Sequence, residues 1–279
     1  MTSPPDPGLP AAGRVARGLS RRWERVRPFP LPRYVAGTPK IGTDDPFDPP
    51  FPPTALTLGT AAMSDEAANA VVSVLDRLTP EQQLAGQEFF YRWGQAKFGR
   101  HWRFANILTA LWAAATFIQP SAYLEIGVFR GRSAAVVGSV SPKCDIYGFD
   151  LWIPDYAGTP NPGPDFVREE IRTAGHNGNV TLITGDSRKT VPAFLREHPD
   201  LYFDLITIDG VKSIAGVASD FAHVLPRLKV GGIVVFDDMP RIPVLRRIWD
   251  KVIRNDAHYV TWEFNDAGFG VAVAIRAFD

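Results

Sequence analysis

Between Tyr123 and Ile275, short apolar runs alternate with segments of helical period. Tyr123 to Ile126, Asp145 to Phe149, Val180 to Thr184, Phe203 to Ile208 and Gly232 to Phe236 read as strands. Helices are expected over 132–140 and 165–174, as a short helix after Ser187 that runs to Glu197 with Pro192 in its first turn, and from Ile214 to about Leu225. Few folds accept this alternation. Parallel strands need crossovers, and helices supply them on both faces of the sheet. Pro243 begins a further helix. Tyr259 to Phe264 and Val271 to Ile275 are two last strands around Asn265-Asp266-Ala267-Gly268, and so short a turn makes one of them antiparallel.

The segment ahead of this alternation differs. Thirteen of the 25 prolines precede Ala55, gathered in Pro28-Phe29-Pro30-Leu31-Pro32 and Pro49-Pro50-Phe51-Pro52-Pro53. Proline fixes φ and removes a donor, so residues 1–60 are expected to form an extended, partly disordered arm. Within it Val15, Leu19, Trp23 and Val26 fall at helical spacing among Arg17, Arg21, Arg22 and Arg25. Residues 1–33 hold seven Arg against Asp6 and Glu24, so they carry +5 and the rest of this neutral chain carries −5. A basic amphipathic segment suits an anionic membrane surface or a partner; a solvated arm or a cap on its own domain is the plainer alternative. Residues 61–120 turn helical and are expected to cap the domain that spans 121–279. Ser64 opens one helix. Thr79-Pro80-Glu81-Gln82 reads as a capping box with Pro at the first helical position. A nearly all-apolar helix is expected from about Trp102 to Phe117. The fold class expected is therefore α/β: a Rossmann-like, seven-stranded, mostly parallel sheet with an antiparallel C-terminal hairpin strand, helices on both faces and an N-terminal helical cap.

Glu125-Ile-Gly127-Val-Phe-Arg-Gly131-Arg-Ser133 joins a strand end, a turn bracketed by two glycines and a helix start. Such a unit presents helix-terminal N–H groups at the carboxyl edge of a sheet, where glycine lets backbone approach a ligand. The spacing is Gly-x-x-x-Gly, unlike the Gly-x-Gly-x-x-Gly of nicotinamide and flavin enzymes. Glu125 would repel a pyrophosphate and suits a cationic or hydroxyl-bearing ligand. Asp150 ends the second strand, nineteen residues after Gly131, where a mononucleotide-type fold uses a carboxylate to accept ribose hydroxyls. Asp186 and Ser187 follow the third strand, Asp209 the fourth, Asp237 and Asp238 the fifth. One acid after a strand is often a helix cap. Six at one edge repel each other unless hydroxyls, a cation or a metal offset them.

An acid followed by Gly-x-x-x-Gly resembles the first motif of class I S-adenosylmethionine-dependent methyltransferases. The resemblance implies that Glu125, Gly127 and Gly131 surround the methionine portion of that cofactor, that Asp150 holds its ribose, and that Asp186 with Ser187 contacts its adenine. Ser133 is open between a hydrogen bond to the cofactor and a helix cap. Asp209-Gly-Val-Lys212 and Asp237-Asp238 resemble the metal-assisted O-methyltransferases: catechol-type enzymes, sugar O-methyltransferases of macrolide biosynthesis and cephalosporin-hydroxylase-type proteins. Adjacent strands lie about 4.8 Å apart, so three carboxylates can converge on one cation. Oxygen ligands suit Mg2+ or Mn2+. The implied metal ligands are Asp209, Asp237 and Asp238. Asp209 also borders the cofactor, and Asp209 with Lys212 forms the catalytic pair, Lys212 being the base. Many bacterial relatives carry an acidic/His run where Lys212 stands, so no histidine base is available here. The resemblance covers roughly residues 105–279 and leaves out the arm.

The function implied is an S-adenosylmethionine-dependent, divalent-metal-assisted O-methyltransferase acting on a hydroxyl of a sugar, polyketide or phenolic small molecule. Two rivals stay open: a metal-independent methyltransferase whose paired acids only cap and orient, and a non-catalytic cofactor-binding protein docked by its arm. A single cysteine, Cys144, excludes an internal disulfide and cysteine-based zinc clusters, and is expected to be a small buried residue. The histidines, at 101, 176, 198, 223 and 258, fit no ligand spacing. No apolar run approaches the roughly 20 residues of a membrane span. The start lacks the apolar core of a secretory signal, so a cytoplasmic location is expected. No nucleic-acid partner is expected. A homo-oligomer, and a weak contact of the arm with a membrane surface or partner, stay open. The loop 151–164 is expected to be stiffened by proline beside the site, with Trp152 or Tyr156 either meeting ligand or holding the loop down.

Overall fold

The computed structural model describes residues 54–265 and 268–277. The basic Arg14–Val26 segment and both proline clusters lie outside the described residues. Among those described, no helix is long and apolar enough to cross a membrane.

Seven strands form one sheet: β1 (Ala122–Ile126), β2 (Asp145–Asp150), β3 (Val180–Thr184), β4 (Phe203–Ile208), β5 (Leu228–Asp237), β6 (Tyr259–Phe264) and β7 (Val271–Arg276). Their spatial order is β3-β2-β1-β4-β5-β7-β6. The first five pair in parallel, and β7 runs antiparallel to both β5 and β6. This is the expected Rossmann-like sheet, and the antiparallel member of the hairpin is β7, inserted between β5 and β6.

Strand periodicity divides the core into two layers. Tyr123, Leu205 and Val235 face α1 (Ala55–Ala62), α4 (Ile107–Ile118), α5 (Arg132–Val140) and α6 (Pro164–Thr173), packing with Leu58, Leu111, Val137 and Ile171. Leu124, Ile206 and Val234 face the opposite way, toward α7 (Ser187–Glu197), α8 (Ile214–Val224) and α9 (Pro243–Trp249), with Leu195, Phe221 and Trp249. Outside the first layer lie α2 (Asp65–Leu75) and α3 (Gln82–Phe98). Their Val71, Leu75, Leu84 and Tyr91 pack with Phe104, Leu108 and Val136.

Three local expectations are corrected. Ser64 does cap α2, accepting from the Ala67 N–H at 3.0 Å. The capping box at Thr79, however, does not form. Glu81 caps α3 instead, accepting from the N–H groups of Gln83 and Leu84. Thr79 is claimed by a distant partner: its N–H and hydroxyl donate to the buried Glu170 carboxylate of α6, at 2.9 and 2.6 Å. Glu170→Ala removes these charge-assisted bonds and is expected to lower stability by about 2 kcal/mol, read from the midpoint of a urea titration. The apolar helix expected from Trp102 starts only at Ile107. Asn106 caps it, and Thr109 Oγ1 accepts from the Asn106 N–H at 3.1 Å in return. Pro192 stands in the second turn of α7, so it cannot donate to the carbonyl one turn back.

Candidate active site

The chain leaves β1 for β2 on one side, and β4 takes the other side. Crossovers that diverge in this way open a crevice beyond the carboxyl ends of the strands. Glu125 stands near the end of β1, Asp150 at the end of β2, Asp186 and Ser187 after β3, Asp209 after β4, and Asp237 and Asp238 at the end of β5. Every site residue expected from sequence falls on this one edge.

The glycine turn is held by packing as much as by any ligand. Gly127 has φ +89° and Gly131 φ +77°. A Cβ on Gly127 would lie 2.3 Å from the Asp209 carbonyl oxygen, and one on Gly131 would lie 2.7 Å from Val167 Cγ1. Asp150 Oδ2 accepts from the Phe129 N–H inside the turn at 2.8 Å, and Oδ1 from the Trp152 N–H at 2.6 Å. A carboxylate has about four acceptor sites, so Asp150 builds the turn and keeps capacity for a hydroxyl.

Gly131 occupies the N-cap of α5, so Ser133 is not the cap; its hydroxyl donates to Glu125 Oε1. Glu125 is buried, and its Oε2 has no hydrogen-bond partner. The Tyr123 hydroxyl, which donates to Thr207 Oγ1 at 2.8 Å, lies beside the carboxyl. Burial pushes the Glu125 carboxyl up to about 8; the Ser133 hydrogen bond and the nearby Tyr123 hydroxyl oppose this, and Asp209 and Asp150 add to it.

Asp186 is already engaged. It caps α7 through the Arg188 N–H at 3.0 Å, and the Arg188 guanidinium donates to both its oxygens, at 2.9 and 2.6 Å. That pairing holds its carboxyl down at about 2. Beside Ser187 lies Asp220, a buried acid of α8 whose two carboxylate oxygens have no hydrogen-bond partner; burial pushes it up to about 6, with Ser187 opposing. Asp220 belongs to no motif and escapes a sequence reading. In the loop 151–164, Trp152 is buried in the core as an anchor. A second anchor is Arg130, whose Nη1 donates to the Pro160 carbonyl at 2.6 Å while its guanidinium lies 4.6 Å over the Phe166 ring. Tyr156 is the exposed aromatic, edge-on to Phe129 at 5.6 Å.

Carboxylate oxygens of Asp209, Asp237 and Asp238 lie within 4.8 Å of one another. Lys212 Nζ is 2.6 Å from Asp209 Oδ1 and 3.2 Å from Asp238 Oδ2. Burial pulls the Lys212 ammonium down, but Asp209, Asp238 and Asp237 outweigh it and hold its pKa above the ordinary lysine value. Burial and mutual repulsion push Asp209 and Asp237 up. Three carboxylates against one ammonium leave negative charge to spare, and hard oxygen donors match a hard dication, so this donor set fits Mg2+ or Mn2+. Cys144 is buried, as expected. His223 Nδ1 lies 2.7 Å from the Ser219 carbonyl within its own helix, a structural role.

Beside the acids is a cleft of about 560 Å3. Asp237 and Asp238 line it from β5, Phe90 and Tyr91 from α3, Asn106 from the cap of α4, and Phe269 from the hairpin. Helix α3 is fastened here by Arg132, the residue after Gly131, whose guanidinium pairs with Glu81 and donates to Gln87 Oε1 at 3.3 Å. Apart from Asp237 and Asp238, none of the residues lining the cleft belongs to a sequence motif.

Residues 124–239 match a family model described as a methyltransferase domain. No curated protein matches the chain. Among solved structures, the fold is similar to the apo structure of CalS11, a TDP-rhamnose 3'-O-methyltransferase of calicheamicin biosynthesis. That likeness has 22% identity over 77% of this chain and 94% of the other, with a TM-score of 0.50. It is also similar to the O-methyltransferase TomG from Streptomyces achromogenes, involved in tomaymycin synthesis and solved with S-adenosylmethionine. There the identity is 17%, over 72% of this chain and 92% of the other, with a TM-score of 0.50. At these identities the likeness is one of fold.

Proposed function

We propose that this chain, whose residues 124–239 match a family model described as a methyltransferase domain, moves a methyl group from S-adenosylmethionine to the hydroxyl oxygen of a small-molecule acceptor, assisted by Mg2+ or Mn2+. One observation carries the reading. A buried carboxyl with an unpartnered oxygen, Glu125, stands at the same strand edge as three clustered acids and a lysine. The first suits a cationic ligand; the second suits activation of a hydroxyl.

Glu125 and the turn from Gly127 to Gly131 would hold the methionine portion. The remaining acceptor sites of Asp150 would take ribose hydroxyls, with Asp186 and Ser187 bordering the adenine. S-adenosylmethionine supplies a methyl on a cationic sulfur; as the acceptor oxygen forms the C–O bond, the C–S bond breaks and the sulfur leaves as a neutral thioether. Asp209, Asp237 and Asp238 would hold a dication, which supplies acidification of the acceptor hydroxyl. The rest is positioning of an in-line displacement by the crevice walls. Lys212 is the nearest candidate to accept the proton, and it must first be neutral. Its bonds to Asp209 and Asp238 favour the ammonium. Those same bonds favour a second reading, in which Lys212 neutralises the acids and no metal takes part.

The cofactor test uses proton linkage. With its pKa raised to about 8, Glu125 is protonated in the free protein at pH 7. The α-ammonium of the cofactor's amino-acid portion, placed beside it, favours the carboxylate. Binding of S-adenosylhomocysteine, which keeps that ammonium, is therefore expected to release a proton at pH 7, and its affinity to rise as pH climbs toward 8 and level off above. Calorimetry in buffers of different ionisation heat counts that proton, and Glu125→Gln should remove it. Binding of NAD in place of S-adenosylhomocysteine would end the reading.

A further inference from the structure

The end of α3 gathers large exposed rings. Phe89, Trp93 and Phe98 are 68%, 43% and 45% exposed. Phe89 and Trp93 stand four residues apart and so share a face of the helix. The Trp93 and Phe98 rings meet edge-on at 5.8 Å. Exposed apolar side chains scattered singly are ordinary; a contiguous group rimmed by polar residues marks an interaction site.

The turn that follows is shaped by the protein itself. Gly99 ends the helix with φ +52°, and a Cβ there would meet nothing within 4 Å, so the turn stands in open solvent. Beyond it the Trp102 ring lies against α3, where a Cβ on Gly94 would overlap it, and stacks on Phe104 at 5.1 Å. Arg103 Nη1 donates to the carbonyls of Arg100 and Trp102, both at 2.9 Å.

Charge indicates what covers the rings. From Trp93 to Arg103 the chain holds Lys97, Arg100 and Arg103 and no acid. All three cations are exposed, and among the described residues none of them forms an ion pair. Acids outside the run, Glu88 on α3 and Asp65 and Glu66 at the start of the adjoining α2, leave them unpaired. Lys97 Nζ lies 4.7 Å from the Trp93 ring centre, so this charge travels with the rings. Rings that can enter the acyl boundary, edged by cations that reach anionic headgroups, suit a lipid surface. A second copy fits less well. Across a twofold axis the same cations would face each other. The three rings also offer only roughly 300 Å2, against the roughly 800 Å2 that each partner in a stable interface buries.

We propose that the end of α3 and the turn from Gly99 to Arg103 form a docking surface for membranes of anionic lipid. Gly86 and Phe90 of the same helix line the cleft. Phe98 lies eight residues beyond Phe90, roughly 12 Å along the axis, so docking would hold the cleft near the headgroups. The proposal does not depend on methyl transfer.

The test is flotation of the full chain with vesicles of phosphatidylcholine alone and of equal parts phosphatidylcholine and phosphatidylglycerol. The chain is expected to partition onto the mixed vesicles at least about tenfold more strongly than onto the neutral ones, and to be released by salt. Trp93→Ser with Phe98→Ser, and separately Lys97→Glu with Arg100→Glu, should each weaken that partition by at least about tenfold. The thermal transition should stay nearly unchanged, because all four side chains are exposed. Absence of flotation by the parent, or equal flotation with both kinds of vesicle, overturns the proposal. Equal flotation by the parent and both variants also overturns it and moves the membrane contact to the basic residues 1–33. A parent dimer that Trp93→Ser with Phe98→Ser converts to monomer, without lipid binding, would assign the surface to a second copy. Binding of a single-stranded oligonucleotide that the charge reversal abolishes, without lipid binding, would assign it to nucleic acid.

Discussion

Asp238→Ala is expected to lower metal-stimulated methyl transfer by roughly 10²-fold or more while S-adenosylhomocysteine binds nearly as before. Asp238 lies with Asp209 and Asp237 in the acid cluster, away from Glu125 and the glycine turn on β1. Loss of one carboxylate from three weakens a dication site, and several kcal/mol of Lewis-acid assistance corresponds to that rate factor. The substitution also takes one of two partners from Lys212. Lys212→Met therefore accompanies it. If Lys212 takes the acceptor proton, the methionine variant loses roughly 10²-fold in turnover and the pH–rate profile loses the limb that lysine supplied. If Lys212 is only a counter-ion, the variant keeps its turnover and binds metal more tightly, because the acids have lost their internal cation. Unchanged turnover of the parent protein in excess chelator would remove the metal from the mechanism and leave the counter-ion reading.

Gly127→Ala is expected to cost about 2–5 kcal/mol of stability and most of the activity. Its φ of +89° lies where an L side chain is strained by roughly 1–2 kcal/mol. The new Cβ would also press on the Asp209 carbonyl at 2.3 Å, an overpacking cost of roughly 1–3 kcal/mol. Relief requires β1 and β4 to part at the crevice, which shifts Asp209 and Glu125 together. Cofactor affinity and metal affinity should therefore both fall. Gly86→Ala is the control: with open space around it and an ordinary helical backbone, it should raise the stability by the roughly 0.5–1 kcal/mol that glycine costs a helix. A Gly127→Ala protein as stable as its parent would mean that the turn yields more easily than its close contact implies.

Much of the sheet was legible because each of the first five strands is a short apolar run closed by Gly or Asp. β3 and β4, and the helix Arg132–Val140, begin and end where the pattern puts them. The acids along the edge were legible for the same reason, since a strand end is a local signal. The failures are places where a distant residue decides. Thr79 has the local look of a cap, yet Glu170, 91 positions away, takes its donors. Trp102 and Phe104 continue an apolar run, but Asn106 starts the helix after them, and their rings stack at 5.1 Å in extended chain. Beyond its two acids, the cleft was illegible. Asn106 and Gln87 acquire their orientation from Tyr91 and Arg132, and nothing in the spacing of amides along a chain records such partnerships. The glycines were recognised as special, but the reason lies in Val167 and the Asp209 carbonyl, brought near only by the fold.

Asp150 holds one N–H from the turn after β1 and one from the loop after β2. Its carboxylate is thus oriented before any ligand arrives, and the conformational freedom that a loose side chain would forfeit on binding has already been given up in folding. Association at this position should be limited by encounter, and residence time set by the contacts themselves. A single-site deletion here also cannot be read as the subtraction of one ligand contact. Freeing Phe129 loosens the turn that carries Gly131 and Arg132, and Arg132 grips α3, the wall of the neighbouring cleft. A measured loss at Asp150 would therefore be a composite, and a double-mutant cycle with Arg132 is needed to separate its parts.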